Sequence, residues 1–352
     1  MVTVCRSESL LFKQKDILVV DVGSGTQDVL VYQPGKNIEN CPKLVMPSRT
    51  QLVAGLIRQA TQQGRSLYLH GHVMGGGACY AALKQHLATG YKVYATEQAA
   101  YTFNDNLTKV SQMGIELVKT EPDNADKIWL GDIDLPAFQQ ALAAFEQHLP
   151  SQLAVAVQDH GFSAEESNRT LRFRLWKEFI AKGGFLKDLV FTEQLPEIYT
   201  RMKAVRAIVP GAILTDTGAA ALLGITADPA VRPQLEKGIL AVNIGNSHTL
   251  AAAIRGQRVY GLFEQHTGAL NTELLASLVK RMQNNELSND EIYNAGGHGA
   301  TFHPDMGPGW DYIAVTGPRR AMAKPLGWYE AAPYGDMMLT GCFGILIGLG
   351  II

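Results

Sequence analysis

The segment Asp21-Val22-Gly23-Ser24-Gly25-Thr26 carries the residue types that grip a phosphate. Gly23 and Gly25 permit a tight turn whose backbone N–H groups converge, and Ser24 and Thr26 add hydroxyl donors. Such a nest of donors suits phosphate oxygens. A bare carboxylate would repel that anion, so Asp21 makes sense beside Mg²⁺, which takes oxygen ligands and often reaches carboxylates through water. A second turn, Asn243-Ile244-Gly245-Asn246-Ser247-His248, has the same outline with amide, hydroxyl and imidazole donors. Asn243 stands where Asp21 stands; an amide can coordinate a metal weakly or hydrogen-bond, but cannot act as a base.

The two turns sit in a longer repeat. Residues 17–36 recur in outline as 239–258, offset by 222 positions without a gap, with Ile17, Leu18, Val20 and Gly23 matched by Ile239, Leu240, Val242 and Gly245. Each copy reads strand–turn–strand, and each opens half of the chain. This pattern predicts a duplicated fold whose two turns face one ligand. Strands are expected at 43–46, 66–71, 91–96, 127–133, 152–158, 212–216 and 312–315. Helices are expected at 50–63, with Leu52, Leu56 and Ile57 on one face, and at 78–88, 135–148, 164–181, 268–283 and 288–295. Alternating strands and helices make the class α/β. A boundary falls near 216–238, where Pro229 and Pro233 interrupt the pattern, giving units over 1–216 and 217–352.

The chain of 352 residues has a formal net charge of -2, which offers nothing to attract nucleic acid or an anionic membrane. Cys5, Cys41, Cys79 and Cys342 form neither a CxxC pair nor a cluster, which argues against a disulfide framework or zinc ribbon. Residues 1–15 read as a short extension rather than a signal peptide, and a reducing cytoplasm is expected. The charge-free C-terminal stretch 337–352 is shorter than the about 20 residues that span a bilayer, so a buried helix over 336–350 is expected.

Other residues invite chemical readings. Asp159 ends a strand, where it is either a base or water-orienting group for an acceptor hydroxyl or a turn-capping acid. Asp216 reads first as a helix N-cap. His70 and His72 precede Gly75–Gly77 and suggest either a substrate loop or, with His160, His248, His266, His298 or His303, a transition-metal site. Glu264 is a substrate or metal contact, or a solvated strand end. The glycine-rich loop 296–310 is long enough to close over a ligand. Arg319 and Arg320 either meet a base or phosphate or lie on a helix surface.

These motifs resemble the superfamily of actin, the Hsp70 chaperones and the acetate and sugar kinases. Asp21–Thr26 is similar to its first phosphate motif and Asn243–His248 to its second. Residues 215–225 and 335–348, the latter with Gly341, Gly344 and Gly348, resemble its two connecting helices. Val315-Thr316-Gly317-Pro318 falls where its adenosine motif belongs. The resemblance implies two actin-like ATPase (ribonuclease H-like) domains with a cleft between them, the C-terminal helix packing back at the hinge. It departs at Asn243 for aspartate, His248 for threonine and Pro318 for glycine. More narrowly, the chain looks like a prokaryotic family labelled pyruvate formate-lyase activating enzyme. A radical-SAM activase needs three closely spaced cysteines, and none are present.

The resemblance implies ATP and Mg²⁺ as cofactors and phosphoryl transfer to a small molecule. Asp21 and Asn243 would meet the metal. Gly23, Ser24, Gly25, Thr26, Gly245, Asn246, Ser247, His248 and Gly317 would meet the nucleotide, and Asp159 and Asp21 would be catalytic. A second reading is an ATP-gated binding module with a protein partner; a third is a histidine-based metal enzyme without nucleotide. A homodimer is compatible with each.

Overall fold

β1 (Ile17–Val22), β2 (Thr26–Tyr32) and β3 (Lys43–Pro47) form an antiparallel meander. Ile17 to Val20 are fully buried, because β1 has apolar layers on both faces. The computed structural model describes residues 12–352. Cys5 and most of the expected extension over 1–15 lie outside the described residues.

The chain then leaves this sheet. β4 (Ser66–Gly71), β5 (Val93–Ala95), β6 (Ile115–Leu117) and β7 (Ala125–Leu130) make a separate parallel sheet in the order β6-β5-β4-β7. Helices Arg49–Gln62 and Gly77–Ala88 cover it, with Ile57, Leu67, Leu69, Leu83 and Leu130 in a core of its own. Leu52 and Leu56, expected to share a buried face with Ile57, are 43% and 47% exposed; Val53 and Ala54 fill that face instead.

β8 (Gln152–Val157) and β9 (Ile213–Asp216) return to complete the first sheet, in the order β3-β2-β1-β8-β9. The second sheet holds β10 (Ile239–Ile244), β11 (His248–Arg255), β12 (Arg258–His266), β13 (Gly299–Phe302), β14 (Tyr312–Thr316) and β15 (Tyr329–Glu330), in the order β13-β12-β11-β10-β14-β15. Without β13, its strands repeat the first sheet in order and direction: β10 is antiparallel to β11 and parallel to β14, as β1 is to β2 and β8. This duplicated ribonuclease H-like sheet is the α/β architecture of the actin-like ATPases. β13 corrects the reading of 296–310 as a lid, since half-way along it the chain pairs with β12 at the sheet edge.

Two helices join the sheets. Thr217–Ile225 follows β9 and packs on β10 and β14, while Thr340–Gly348 follows the second sheet and packs on β1, β2 and β8 of the first. They cross in close contact. A Cβ on Gly344 would lie 1.8 Å from the Ala220 carbonyl oxygen, and one on Gly224 1.9 Å from that of Thr340. Gly344→Ala should therefore cost about 2 kcal/mol by overpacking. Chemical denaturation checks it, and an unchanged midpoint would show that the helices separate freely. Among the described residues no helix is long and apolar enough to cross a membrane.

Candidate functional site

The two turns meet. The Gly23 N–H donates to the Thr26 carbonyl at 2.9 Å and the Gly245 N–H to that of His248 at 3.0 Å, so the two copies close in the same way. Ser247 Oγ donates to Ser24 Oγ at 2.7 Å, and a Cβ on Gly25 would lie 2.3 Å from the Asn246 amide nitrogen. The expected gap for a phosphate chain between the turns is closed here, and a cavity lies on each side of the contact.

On one side a small cavity of about 90 Å³ is lined by Asp21, Asp28, Thr217, Asn243 and Gly317. Asp21 and Asp28 face each other across the β1–β2 ladder. Thr217 Oγ1 donates to Asp21 Oδ1 at 2.6 Å, and a Cβ on Gly341 would lie 1.9 Å from Asp21 Oδ2, so only glycine fits there. Asp28 is 7% exposed, and its buried Oδ1 has no hydrogen-bond partner. Burial pushes the Asp21 carboxyl up to about 7 despite the Thr217 hydroxyl. Burial, and then the charge of Asp21, pushes Asp28 up to about 8. A half-buried carboxylate, a buried one with an orphaned oxygen, a hydroxyl and the Asn243 amide make a donor set that fits a hard divalent cation. In the second copy the partner of Asn243 is Leu250, so that turn has no equivalent pair.

On the other side a cavity of about 350 Å³ reaches from both turns to Gly75–Gly77 and the ends of β8 and β7. Asp132, 1% exposed, accepts from Arg201 Nε at 2.7 Å and Nη2 at 2.8 Å. Asp159 also lines this space, with both oxygens engaged: Oδ1 accepts the Gly161 N–H and Oδ2 the Met202 N–H, each at 2.9 Å. Its turn-capping role is thus visible, and burial pushes it up to about 6. Asp216 is the N-cap of Thr217–Ile225, accepting the Gly218 N–H.

Arg172 links the two sheets. Its Nε donates to Glu264 Oε2 at 2.5 Å, its Nη1 to Asp216 Oδ2 at 2.9 Å and its Nη2 to Asp216 Oδ1 at 3.2 Å. Glu264 is 1% exposed, which corrects the solvated strand end; Arg172 and nearby imidazoles hold its carboxyl well below the usual range despite burial. Beside it, His160, His248 and His298 converge, with ring centroids 4.8–6.1 Å apart. Burial pushes His248 down to about 4 and His298 to about 3, so both rings are neutral at ordinary pH.

The histidines foreseen as ligands are therefore divided. His70 stacks on Tyr68, and His303 Nδ1 accepts the Asp305 N–H, so neither joins the cluster. His72 does not line the cavity that Val73–Gly77 line. Gly317 has φ +98°, and a Cβ there would lie 2.5 Å from the Ile244 carbonyl oxygen and 2.7 Å from Asn243 Oδ1. Arg319 donates its N–H to Ile244, and Arg320 pairs with Glu330 at the surface.

A family model matches residues 74–322, about seven-tenths of the chain, and its description reads "Putative pyruvate format-lyase activating enzyme (DUF1786)". The chain belongs to this family. The residues do not fit the iron–sulfur cluster that an activase of the radical-SAM type requires. Cys79 Sγ donates to Gly76 in the inserted sheet's core, whereas Cys342, whose Sγ donates to Asp28, and Cys41 are buried in another core. No curated protein matches the chain. Among solved structures it is similar to the ethanolamine utilization protein EutJ from Carboxydothermus hydrogenoformans, at 11% identity and TM-score 0.32, over 94% of this chain and 88% of that one. It is similar to a non-polymerising MamK mutant bound to AMPPNP, at 10% identity and TM-score 0.31, over 95% and 98%. It also resembles a ROK family transcriptional regulator, a homolog of the E. coli MLC protein, at 6% identity and TM-score 0.27, over 69% of this chain but 37% of the regulator's length. The fold assignment rests on the strand order rather than on these likenesses.

Proposed function

We propose that the protein binds a nucleotide with Mg²⁺ at the paired turns and transfers a phosphoryl group to a small molecule held in the larger cavity. One observation carries this reading: the two repeated turns meet between a carboxylate-lined cavity fit for a cation and a larger cavity fit for an acceptor. Asp21, with Asp28 and Asn243, would hold Mg²⁺, which neutralises phosphate charge when bound. Ser24, Gly25, Thr26, Gly245, Asn246, Ser247 and His248 would position the phosphates, and Gly317 would flank the base. Asp159, anchored by two amides and pushed up to about 6, is suited to orient or deprotonate an acceptor hydroxyl near neutral pH.

The cavity beside Gly317, about 90 Å³, is below the ~300–1,000 Å³ of ordinary ligand sites, so nucleotide entry requires the turns to part. The two crossing helices are the natural hinge. That same closed contact between Ser24 and Ser247 favours a second reading, a module whose protein partner responds to nucleotide-driven opening.

Thermal-shift measurements with ATP or ADP, with and without Mg²⁺, test nucleotide binding; saturation at 100 times the dissociation constant should add about 2.7 kcal/mol. No shift with any nucleotide would overturn both readings. Phosphate appearing on a metabolite separates the kinase from the module, whose slow ATP hydrolysis would instead rise with a protein partner.

A further inference from the structure

We propose that His160, His248 and His298 bind one divalent transition-metal ion of the Zn²⁺ class, leaving a coordination position open to the larger cavity. The three residues come from separate places: the loop after β8, the start of β11 and the residue before β13. No sequence spacing connects them, yet one ligand atom of each lies within 4.8 Å of the others. Nitrogens at about 2.0–2.1 Å from a tetrahedral ion sit about 3.4 Å apart, so modest ring rotations close the set.

His298 supplies the independent sign of a missing partner. It is 2% exposed, and its buried Nδ1 has no hydrogen-bond partner. Buried polar atoms in folded proteins are almost always paired, and an unpaired imidazole nitrogen within a cluster of imidazoles is paired well by a shared cation. Arg172 is matched by both Asp216 and Glu264, which leaves one negative charge beside the rings. Glu264 also fixes the geometry: its carbonyl accepts the His298 N–H at 2.9 Å, and its side chain is held by Arg172 and by Gln158 Nε2 at 2.9 Å. The first of these bonds comes from the His298 backbone N–H, so it holds the chain at His298 in place and leaves the ring free to turn.

Three imidazoles select against Mg²⁺ and Ca²⁺, which prefer oxygen donors, and suit zinc, copper, iron or nickel. Three protein ligands with an open position are the pattern of a working rather than a structural metal. His160 and His248 line the cavity that also holds Asp159 and Arg201, so the open position would take water or an oxygen donor of the small molecule bound there. His248 is shared with the second turn, so metal binding is measured without nucleotide, where it stands or falls apart from the phosphate reading.

The test uses the full-length protein, stripped by chelator and titrated with Co²⁺ in the absence of Mg²⁺ and nucleotide. One equivalent should bind, with the intense visible absorption of a low-coordinate Co²⁺ centre, and Zn²⁺ should displace it. His160→Gln and His298→Gln should each weaken binding by at least about 100-fold, beyond the loss expected from an outer partner. His148→Gln, an exposed histidine elsewhere, should leave it unchanged. Circular dichroism establishes that each variant is folded. Absence of a stoichiometric Co²⁺ centre in the unmodified protein would overturn the proposal whatever the variants do, as would an unchanged spectrum in folded His160→Gln and His298→Gln.

Discussion

At pH 8 without divalent cations, Asp28→Asn should melt above the unmodified protein. Asp28 lies opposite Asp21, and neither has a cation as partner. In the unfolded chain both ionise near 3.8, whereas in the fold they keep their protons up to about 7 for Asp21 and about 8 for Asp28. Between those limits the folded state binds more protons than the unfolded one, so stability falls as pH rises. The contribution is complete below pH 4 and gone above pH 8. Asparagine cannot ionise and escapes most of this decline. A gain on the order of 3 kcal/mol at pH 8 follows, a few units of carboxyl shift discounted for a pair that shares a proton. At about 2 °C per kcal/mol for a chain of this size, the melting temperature should rise by about 6 °C. Mg²⁺ should reverse the ranking, because a bound cation stabilises the ionised pair in the unmodified protein and finds only one carboxylate in the variant. Scanning fluorimetry from pH 5 to 9, with and without Mg²⁺, reads both effects. A melting temperature of the unmodified protein that stays flat across that range would refute the argument.

The pair also shows what the sequence exposes and what it hides. β1 and β10 are legible because central strands are apolar throughout and their turns are glycine-rich, so the copies align without a gap. The crossing helices are legible because close approach demands small residues, as Gly224 and Gly344 show. Asp28 carries a weaker signal, an acid inside the otherwise apolar run of β2, whose counterpart in the repeat is Leu250. Contacts between distant residues leave no local trace. Arg172 with Glu264, Arg201 with Asp132, and the three converging histidines are joined only by the fold. Of the inserted sheet's strands, β4, β5 and β7 are legible, but β6 has three residues, too few to show a period, and parallel pairing leaves no local sign that the four form a sheet of their own. Leu52 and Leu56 misled because an apolar residue on a helix need not face the core, whereas their neighbours Val53 and Ala54 do.

Arg172→Met should be the most damaging single change. The arginine is 4% exposed and is the cation between Asp216 of the first sheet and Glu264 of the second. Methionine roughly fills the volume but leaves two buried carboxylates unopposed, and breaking a buried pair from one side costs about 3–5 kcal/mol. The pH dependence distinguishes this cause from lost packing. With Arg172 present, the Glu264 carboxyl sits well below its ordinary 4.5, so its contribution is complete above that value and is lost only as pH falls below it, toward the depressed value. Without Arg172, burial opposes the charge with only the Gln158 amide and imidazoles that are neutral in this range against it, so the carboxyl should rise, and the variant should suffer most at pH 8 and recover toward pH 5. Adding Glu264→Gln to Arg172→Met removes one stranded charge and should restore part of the loss at pH 8, while Glu264→Gln alone should destabilise. A packing defect would give a penalty independent of pH and no rescue by the second change. Denaturation at pH 5 and 8 across this cycle therefore decides whether the guanidinium is an electrostatic clamp between the sheets. If it is, the ends of β9 and β12, and with them the histidines beside Glu264, are held in place by one charge.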